Sequence, residues 1–207
     1  MTHDTAHDSI WQMPLDDFRD ALALKPMPGC GAAAAVSASL GLALILKGLH
    51  LGQQHAQSDD RQALIDEGEA LKQALSPLAD EDVAAFEAMM DALKRPKRSF
   101  DEKAARREAI QAAASRAVQV PLDTARRCLE ALTLGHQALS HIEAQFESDA
   151  TAGAYLLHAA VQSVLLNVNA NLEALGDEQT KQNARAAQNE IREQSRALIQ
   201  GFEAPAS

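Results

Sequence analysis

Aromatic side chains are scarce in this chain. One Trp, one Tyr and five Phe make up 3 % of its 207 residues, although apolar residues reach 46 %. Ala and Leu therefore carry the core, a composition that suits close-packed helices and not a sandwich or barrel. Cysteine is nearly absent. Cys30 and Cys128 stand far apart without CxxC spacing, so neither a disulfide framework nor a zinc site follows. Positive charge is also short: 19 Lys and Arg against 29 Asp and Glu give a net charge of −10. That balance argues against non-specific nucleic-acid binding, which needs a basic face, but leaves room for a small anionic ligand on a local basic cluster. The first twelve residues, MTHDTAHDSIWQ, lack a basic n-region and an apolar h-region, so no signal peptide is expected and the expected compartment is the cytoplasm. The uncharged run over residues 31–46 falls short of the roughly twenty residues a membrane span needs, so no membrane partner is expected either. No stretch alternates as a strand, and no repeat or long linker divides the chain.

The chain is organised around Pro26-Met27-Pro28-Gly29-Cys30-Gly31 and the apolar segment that follows. Each Pro fixes φ and biases its predecessor away from helix, and the glycines then allow a tight turn at a helix start. Residues 32–49 are apolar on all sides, which predicts a buried central helix. Small residues at Gly31, Ala34, Ala38 and Gly41 permit close approach of its neighbours.

Before it, residues 1–10 read as a flexible arm and 11–24 as an amphipathic helix. After it, Ser58 or Asp59 caps a helix to residue 75, and Pro77 opens another that Pro96 stops. Ser99 with Glu102 forms a capping-box pattern for a helix over 99–118. Pro121 reads as the first turn of a further helix that Gly135 breaks. Helices over 137–146, 149–175 and 177–201 complete the expectation: an all-α single domain over 11–207, a bundle of about eight or nine helices around a buried Ala-rich one.

Among polar residues, Asp82 lies on a helix whose apolar face includes Ala85, Phe86 and Met89, so its carboxylate is a candidate for a cleft; the alternative is a solvated acidic turn with Asp80 and Glu81. Asp149 after Ser148 reads as a helix cap or a ligand contact. The Gly29-Cys30-Gly31 turn offers backbone N–H groups to a ligand oxygen, or simply tight packing. A thiol at a helix N-terminus is expected to have a lowered pKa. Lys94, Arg95, Lys97 and Arg98 form the one basic cluster, either a carboxylate-binding site or a solvated loop. Asn167 and Asn171, four apart on an apolar helix, need partners across helices or on a ligand. His50 with His55, and His136 with His141, are five apart and share no helix face, so no metal site is expected.

Several segments in order resemble the formiminotetrahydrofolate cyclodeaminase and methenyltetrahydrofolate cyclohydrolase family. The turn over residues 26–31 resembles its Pro-Thr-Pro-Gly-Gly-Gly signature. Asp80-Glu81-Asp82-Val83-Ala84-Ala85-Phe86 with Lys94-Arg95-Pro96-Lys97 is similar to its acidic Asp-x-x-Ala-Phe helix and Leu-Pro-Lys turn. Val120-Pro121-Leu122, Ser148-Asp149-Ala150, and Leu166-Asn167-Val168 with Asn171 resemble its Val-Pro-Leu, Ser-Asp-Ala and Leu-Asn-Val-x-x-Asn elements. The chain departs from the pattern at Cys30, Ala32, Gly48-Leu49-His50 and residues 143–147.

The resemblance implies an all-helical, usually dimeric fold with a tetrahydrofolate cleft. It implies either hydrolysis of 5,10-methenyltetrahydrofolate to the 10-formyl form or cyclodeamination of the 5-formimino form, with the folate as substrate and no metal or other cofactor. Both reactions need proton transfer at an amidine-type carbon and a partner for positive charge, roles a carboxylate serves. Asp82 and Asp149 are then the expected catalytic groups. Pro28, Gly29, Cys30, Gly31, Phe86, Ser148 and Asn167 are expected at the ligand, with Lys94 and Lys97 on its glutamate tail. A non-catalytic ligand- or partner-binding protein of the same fold is the alternative.

Overall fold

The computed structural model of the chain describes residues 9–203, and every regular element among them is helical. Six long helices and one short one follow in order: α1 (Leu15–Leu24), α2 (Cys30–His55), α3 (Asp59–Leu75), α4 (Leu78–Lys94), α5 (Phe100–Ala138), α6 (Glu147–Leu172) and α7 (Glu178–Glu203). The all-α class is as expected, but the number of helices is lower. Residues 1–8 of the expected arm lie outside the described residues, whereas Ser9 and Ile10 pack against α4: the Asp80 carboxylate accepts from Ser9 Oγ at 2.7 Å and from the Ile10 N–H at 2.8 Å.

Pro121 explains one of the missing helices. It was expected to start a new helix, yet α5 runs straight through it for 39 residues. A proline inside a helix removes the N–H that would bond the carbonyl four residues earlier. Here that carbonyl belongs to Ala117, and it accepts from the Asn171 Nδ2 of α6 at 3.0 Å. The missing donor is replaced from a neighbouring helix. Gly135 does not end the helix either, because Ile45 of α2 packs over it. Residues 137–146, expected as a helix, hold the end of α5 and two single 3-10 turns. The Ser99–Glu102 capping box forms in full.

α2 and α6 lie antiparallel and pack side by side over most of their length. Cys30 meets Asn167 at one end and Lys47 meets Asp149 at the other, with Gly41 against Gly153 between them. A Cβ on Gly41 would stand 2.7 Å from the Gly153 carbonyl oxygen, so only a hydrogen permits this backbone approach. α2 begins two residues earlier and ends six later than expected. Arg61 secures its C-terminal end, donating from Nη1 to the Ala56 carbonyl at 2.6 Å and from Nε to that of His141 at 3.0 Å.

One hydrophobic core, rich in Ala, Leu and Val, runs from Ile10 to Phe202. α7, read as solvent-facing, is amphipathic: Ala184, Gln188, Ile191, Ser195, Ile199 and Phe202 form a buried stripe at helical spacing. α2 was expected to be covered on all sides. It is not: Ala33, Ser37, Leu40, Ala43 and Leu44 form an outward stripe, with Leu40 half exposed. Two helices, α2 and the 144–172 segment that includes α6, are long and apolar enough by length and composition to cross a membrane, which corrects the shorter estimate from the uncharged run. Much of each is packed inside the protein, as core helices also are.

Candidate functional site

Gly29 occupies the cap position of α2 and has no side chain with which to cap it. Asp82, one turn into α4, supplies the acceptor instead. Its Oδ2 accepts from the Ala32 N–H at 3.1 Å, the bond an Asp cap of α2 would otherwise make. Its Oδ1 accepts from Asn167 Nδ2 at 3.3 Å, and Asn167 Oδ1 in turn accepts from the Cys30 thiol at 2.7 Å. Three helices thus meet in one chain of hydrogen bonds, Cys30–Asn167–Asp82–Ala32. Gly31 is required beside it: a Cβ there would overlap the Asp82 carboxylate. The solvated acidic turn is therefore not found. Asp80 holds residues 9 and 10, and Asp82 holds the start of α2.

The donors to Asp82 are a backbone N–H and an amide, both uncharged. Burial pushes the Asp82 carboxyl above the usual aspartate range, more than these two bonds pull it down. Burial, and then the Asp82 charge, raise the Cys30 thiol. The expected lowering at a helix N-terminus is overturned, and Cys30 is a protonated donor here and not a thiolate.

Beside this network lies a cleft of about 320 Å³, at the small end of ligand-site volumes. Asp82, Asn167, Asn171 and Cys30 give it polar points, and Phe86, Met89 and Met90 an apolar wall. Gly29, Cys30, Asp82, Phe86 and Asn167 are thus brought together as expected. Pro28 instead lines a neighbouring cavity with Ile10, Met13 and Asp80, while Pro26 and Met27 reach the cleft.

Asp149 is not in this cleft. It lies in the first turn of α6, where Phe146 takes the cap position, and it pairs with Lys47 at 2.6 Å. Eighteen residues of α6 separate it from Asn167, about 27 Å along the axis. Ser148 beside it is exposed.

Lys94 is exposed and pairs with Asp91 at 3.3 Å, in a groove that shares Pro26, Met27, Phe86 and Met90 with the cleft. Lys97 lines a second groove with Lys103, Arg106 and Arg107. Sequence reading missed these last three, although spacing could have shown them. Residues 103, 106, 107 and 110 fall on the same face of α5 as Ala117 and Pro121, at intervals of three and four. Arg106 Nη2 donates to the Leu93 carbonyl at 3.2 Å, which fixes this basic stripe beside the end of α4.

The histidines serve elsewhere: His50 meets Glu69 at 3.2 Å and His55 meets Glu143 at 3.1 Å. Among the described residues no group of three His, Cys, Asp or Glu could hold a metal ion.

Sequence comparison agrees with this architecture. The sequence model of the formiminotransferase-cyclodeaminase family matches residues 14–190. A methenyltetrahydrofolate cyclohydrolase of Methylorubrum extorquens is 35 % identical over 169 residues, covering 79 % of this chain and 81 % of that one. The formimidoyltransferase-cyclodeaminase of Gallus gallus is 33 % identical over 159 residues, 74 % of this chain but 29 % of that longer protein. The crystal structure of a formiminotetrahydrofolate cyclodeaminase from Thermotoga maritima superposes with a TM-score of 0.79 at 26 % identity, covering 94 % of this chain and 96 % of that one. The chain belongs to the formiminotransferase-cyclodeaminase family.

Proposed function

We propose that the protein is a tetrahydrofolate one-carbon enzyme that hydrolyses 5,10-methenyltetrahydrofolate to 10-formyltetrahydrofolate or cyclodeaminates 5-formiminotetrahydrofolate. Of the two relatives similar over most of both chains, the Methylorubrum extorquens protein, at 35 % identity against 26 % for the Thermotoga maritima cyclodeaminase, is named for the hydrolysis, which favours it for this chain. The observation that carries the reading is Asp82: a largely buried carboxyl with raised pKa, held by neutral donors at the wall of a partly apolar cleft.

In the hydrolysis, water adds to the amidinium carbon and loses a proton; the ring C–N bond then breaks with a proton delivered to the departing nitrogen, while the new hydroxyl loses its proton to solvent as the formyl C=O forms. Asp82 faces the cleft to take the first proton and return the second, leaving one net proton released. While ionised, it also stabilises the amidinium cation electrostatically. Asn167 orients it through Nδ2, with its own amide fixed by the Cys30 thiol. Phe86, Met89 and Met90 give the flat ring system an apolar wall.

Lys94 lies twelve residues beyond Asp82 on α4, about 18 Å, where the glutamate end of an extended folate would reach. On this reading the protein works in the cytoplasm as a homodimer, with a folate substrate, no separate cofactor or metal, and neither nucleic acid nor membrane as partner.

The test is loss of the near-ultraviolet absorbance of 5,10-methenyltetrahydrofolate above its spontaneous rate. Acceleration is expected, with kcat/KM rising with pH through an apparent pKa above the ordinary aspartate range. Asp82→Asn is expected to lower the rate by about 10²–10⁴ and to remove that pH limb. No acceleration with either the methenyl or the formimino substrate would overturn the proposal.

A further inference from the structure

The polar lining of the Asp82 cleft is one-sided. Among the described residues its polar side chains are Cys30, Asp82, Asn167 and Asn171, and no Lys, Arg, Ser or Thr joins them. Three of the four are bonded to one another: the Cys30 thiol donates to Asn167 Oδ1, and Asn167 Nδ2 donates to Asp82. Asn171 stands apart from that chain, and the folate reading gives it no task.

Pro121 decides which way Asn171 points. A side-chain amide has a donor end and an acceptor end of nearly equal shape, so its direction is set by what it meets. The Ala117 carbonyl can only accept, and Pro121 has no N–H to occupy it. Asn171 Nδ2 takes that place at 3.0 Å, which turns Oδ1 away from α5. Oδ1 accepts no hydrogen bond within the described residues. It is not sealed in either, because the buried side-chain atoms left there without a partner are Ser39 Oγ, Arg106 Nε and Gln162 Nε2. Ala117, Pro121 and Asn171 all line the cleft. The cleft therefore holds an open amide oxygen of fixed direction. Any other residue at position 121 would bring an N–H for the Ala117 carbonyl and leave the amide free to turn.

Asn171 lies one turn beyond Asn167 on α6, about 6 Å along the axis, and Asn167 touches Asp82. A ligand with its reacting carbon at Asp82 thus meets Asn171 at a distance comparable to the span of two fused six-membered rings. In a reduced pterin the edge at that distance is the 2-amino-4-oxopyrimidine, whose 2-amino group is a hydrogen-bond donor.

We infer that Asn171 is a specificity-determining residue: its Oδ1, aimed by the carbonyl that Pro121 frees, accepts from the 2-amino group of the pterin ring. This rests on the folate reading above. The cleft then selects rings with an N–H donor at that edge, because a ring without one leaves the amide oxygen unpaired on binding.

Paired substrates test it. Turnover of 5,10-methenyltetrahydrofolate is compared with that of its 2-desamino-2-methyl analogue, and the ratio of kcat/KM values is the readout. The wild type is expected to prefer the 2-amino compound by about tenfold to a hundredfold. Asn171→Ala is expected to bring the ratio close to one by slowing the 2-amino compound more than the analogue. That variant also strands the Ala117 carbonyl, so Pro121→Ala/Asn171→Ala is measured beside it. The double variant restores an N–H to the carbonyl and should melt nearer the wild type, yet still fail to discriminate. Pro121→Ala alone is expected to lower the ratio part of the way. A wild type that does not discriminate, or an Asn171→Ala variant that slows both compounds equally, would overturn the assignment of Asn171 and leave the folate reading standing. A wild type inert toward both compounds and toward the formimino substrate would overturn the two together.

Discussion

The two ends of the α2–α6 pair each hold a carboxylate, and they hold it in opposite ways. At the Lys47 end, Asp149 faces an ammonium group at 2.6 Å, with both side chains partly in water. Such pairs are worth about 0–1 kcal/mol and dissolve into solvent with little consequence. At the Cys30 end, Asp82 is drawn out of water and met by an amide and a backbone N–H, neither of which cancels its charge. The fold therefore keeps a carboxyl that binds its proton more tightly than a free aspartate would. Ion pairing makes a carboxylate stable and quiet. Burial with neutral donors leaves it responsive to a proton or a cationic substrate.

Gly31→Ala is the strongest way to break this difference. The added methyl would overlap the Asp82 carboxylate, so either α4 shifts or the bond to Ala32 is lost. A loss of about 1–3 kcal/mol is expected, as for other overpacked sites, together with loss of activity. A thermal melt and the methenyltetrahydrofolate assay read both. Asp82→Asn should separate the two effects. The amide oxygen can still accept from Ala32, so activity falls while the melting temperature holds or rises. The sign follows from linkage: with its folded pKa raised, Asp82 makes the folded state bind more protons than the unfolded chain. Its contribution is favourable at pH below the ordinary aspartate value and is lost as pH climbs through the raised one. Asp82→Asn is expected to flatten that part of the stability–pH curve; an unchanged slope would show that the buried charge costs nothing.

The local parts of this site were legible in the sequence, and the parts made by long-range pairing were not. The turn over residues 26–31, the capping box at Ser99 and the helix bearing Asp82 rest on neighbours within four residues. Periodicity and capping rules reach that far. Pro121 is the opposite case. Its local signal is a helix start, and the donor that cancels the signal, Asn171, is fifty residues away in sequence. Likewise the sequence left open whether Asp149 and Asp82 share one cleft, since nothing local gives the length of α6 or its antiparallel course beside α2. The outward stripe on α2 escaped for a related reason: an apolar run does not show which face of its helix the rest of the chain packs against.

The Asn171–Pro121 pairing sharpens the comparison at the cleft end, where the backbone too is satisfied from another helix. Asn171→Ala leaves the Ala117 carbonyl without its donor and is expected to cost about 1–3 kcal/mol. In a Pro121→Ala background the residue at 121 regains an N–H for that carbonyl, so the same substitution should cost less. A four-member denaturation cycle measures the coupling. Equal costs in both backgrounds would mean that the amide matters only through packing against the cleft.

The smallest expected effect concerns the two thiols. Cys128 is fully buried with its pKa pushed up to about 12, so iodoacetamide should reach it only on unfolding. Cys30 is exposed, yet burial of its sulfur and the charge of Asp82 both raise its pKa. Alkylation of the native protein near neutral pH is therefore expected at Cys30 alone, and slower than for a small free thiol. Asp82→Asn removes the negative charge while leaving an amide in its place, so the rate should rise by a modest factor. An equivalent change at the far end, Asp149→Asn, should leave it unchanged. Mass mapping of the labelled peptide decides both. A rate that ignores Asp82 would show that the carboxylate is protonated at the pH of the assay and that the charge at the cleft is already gone before a ligand arrives.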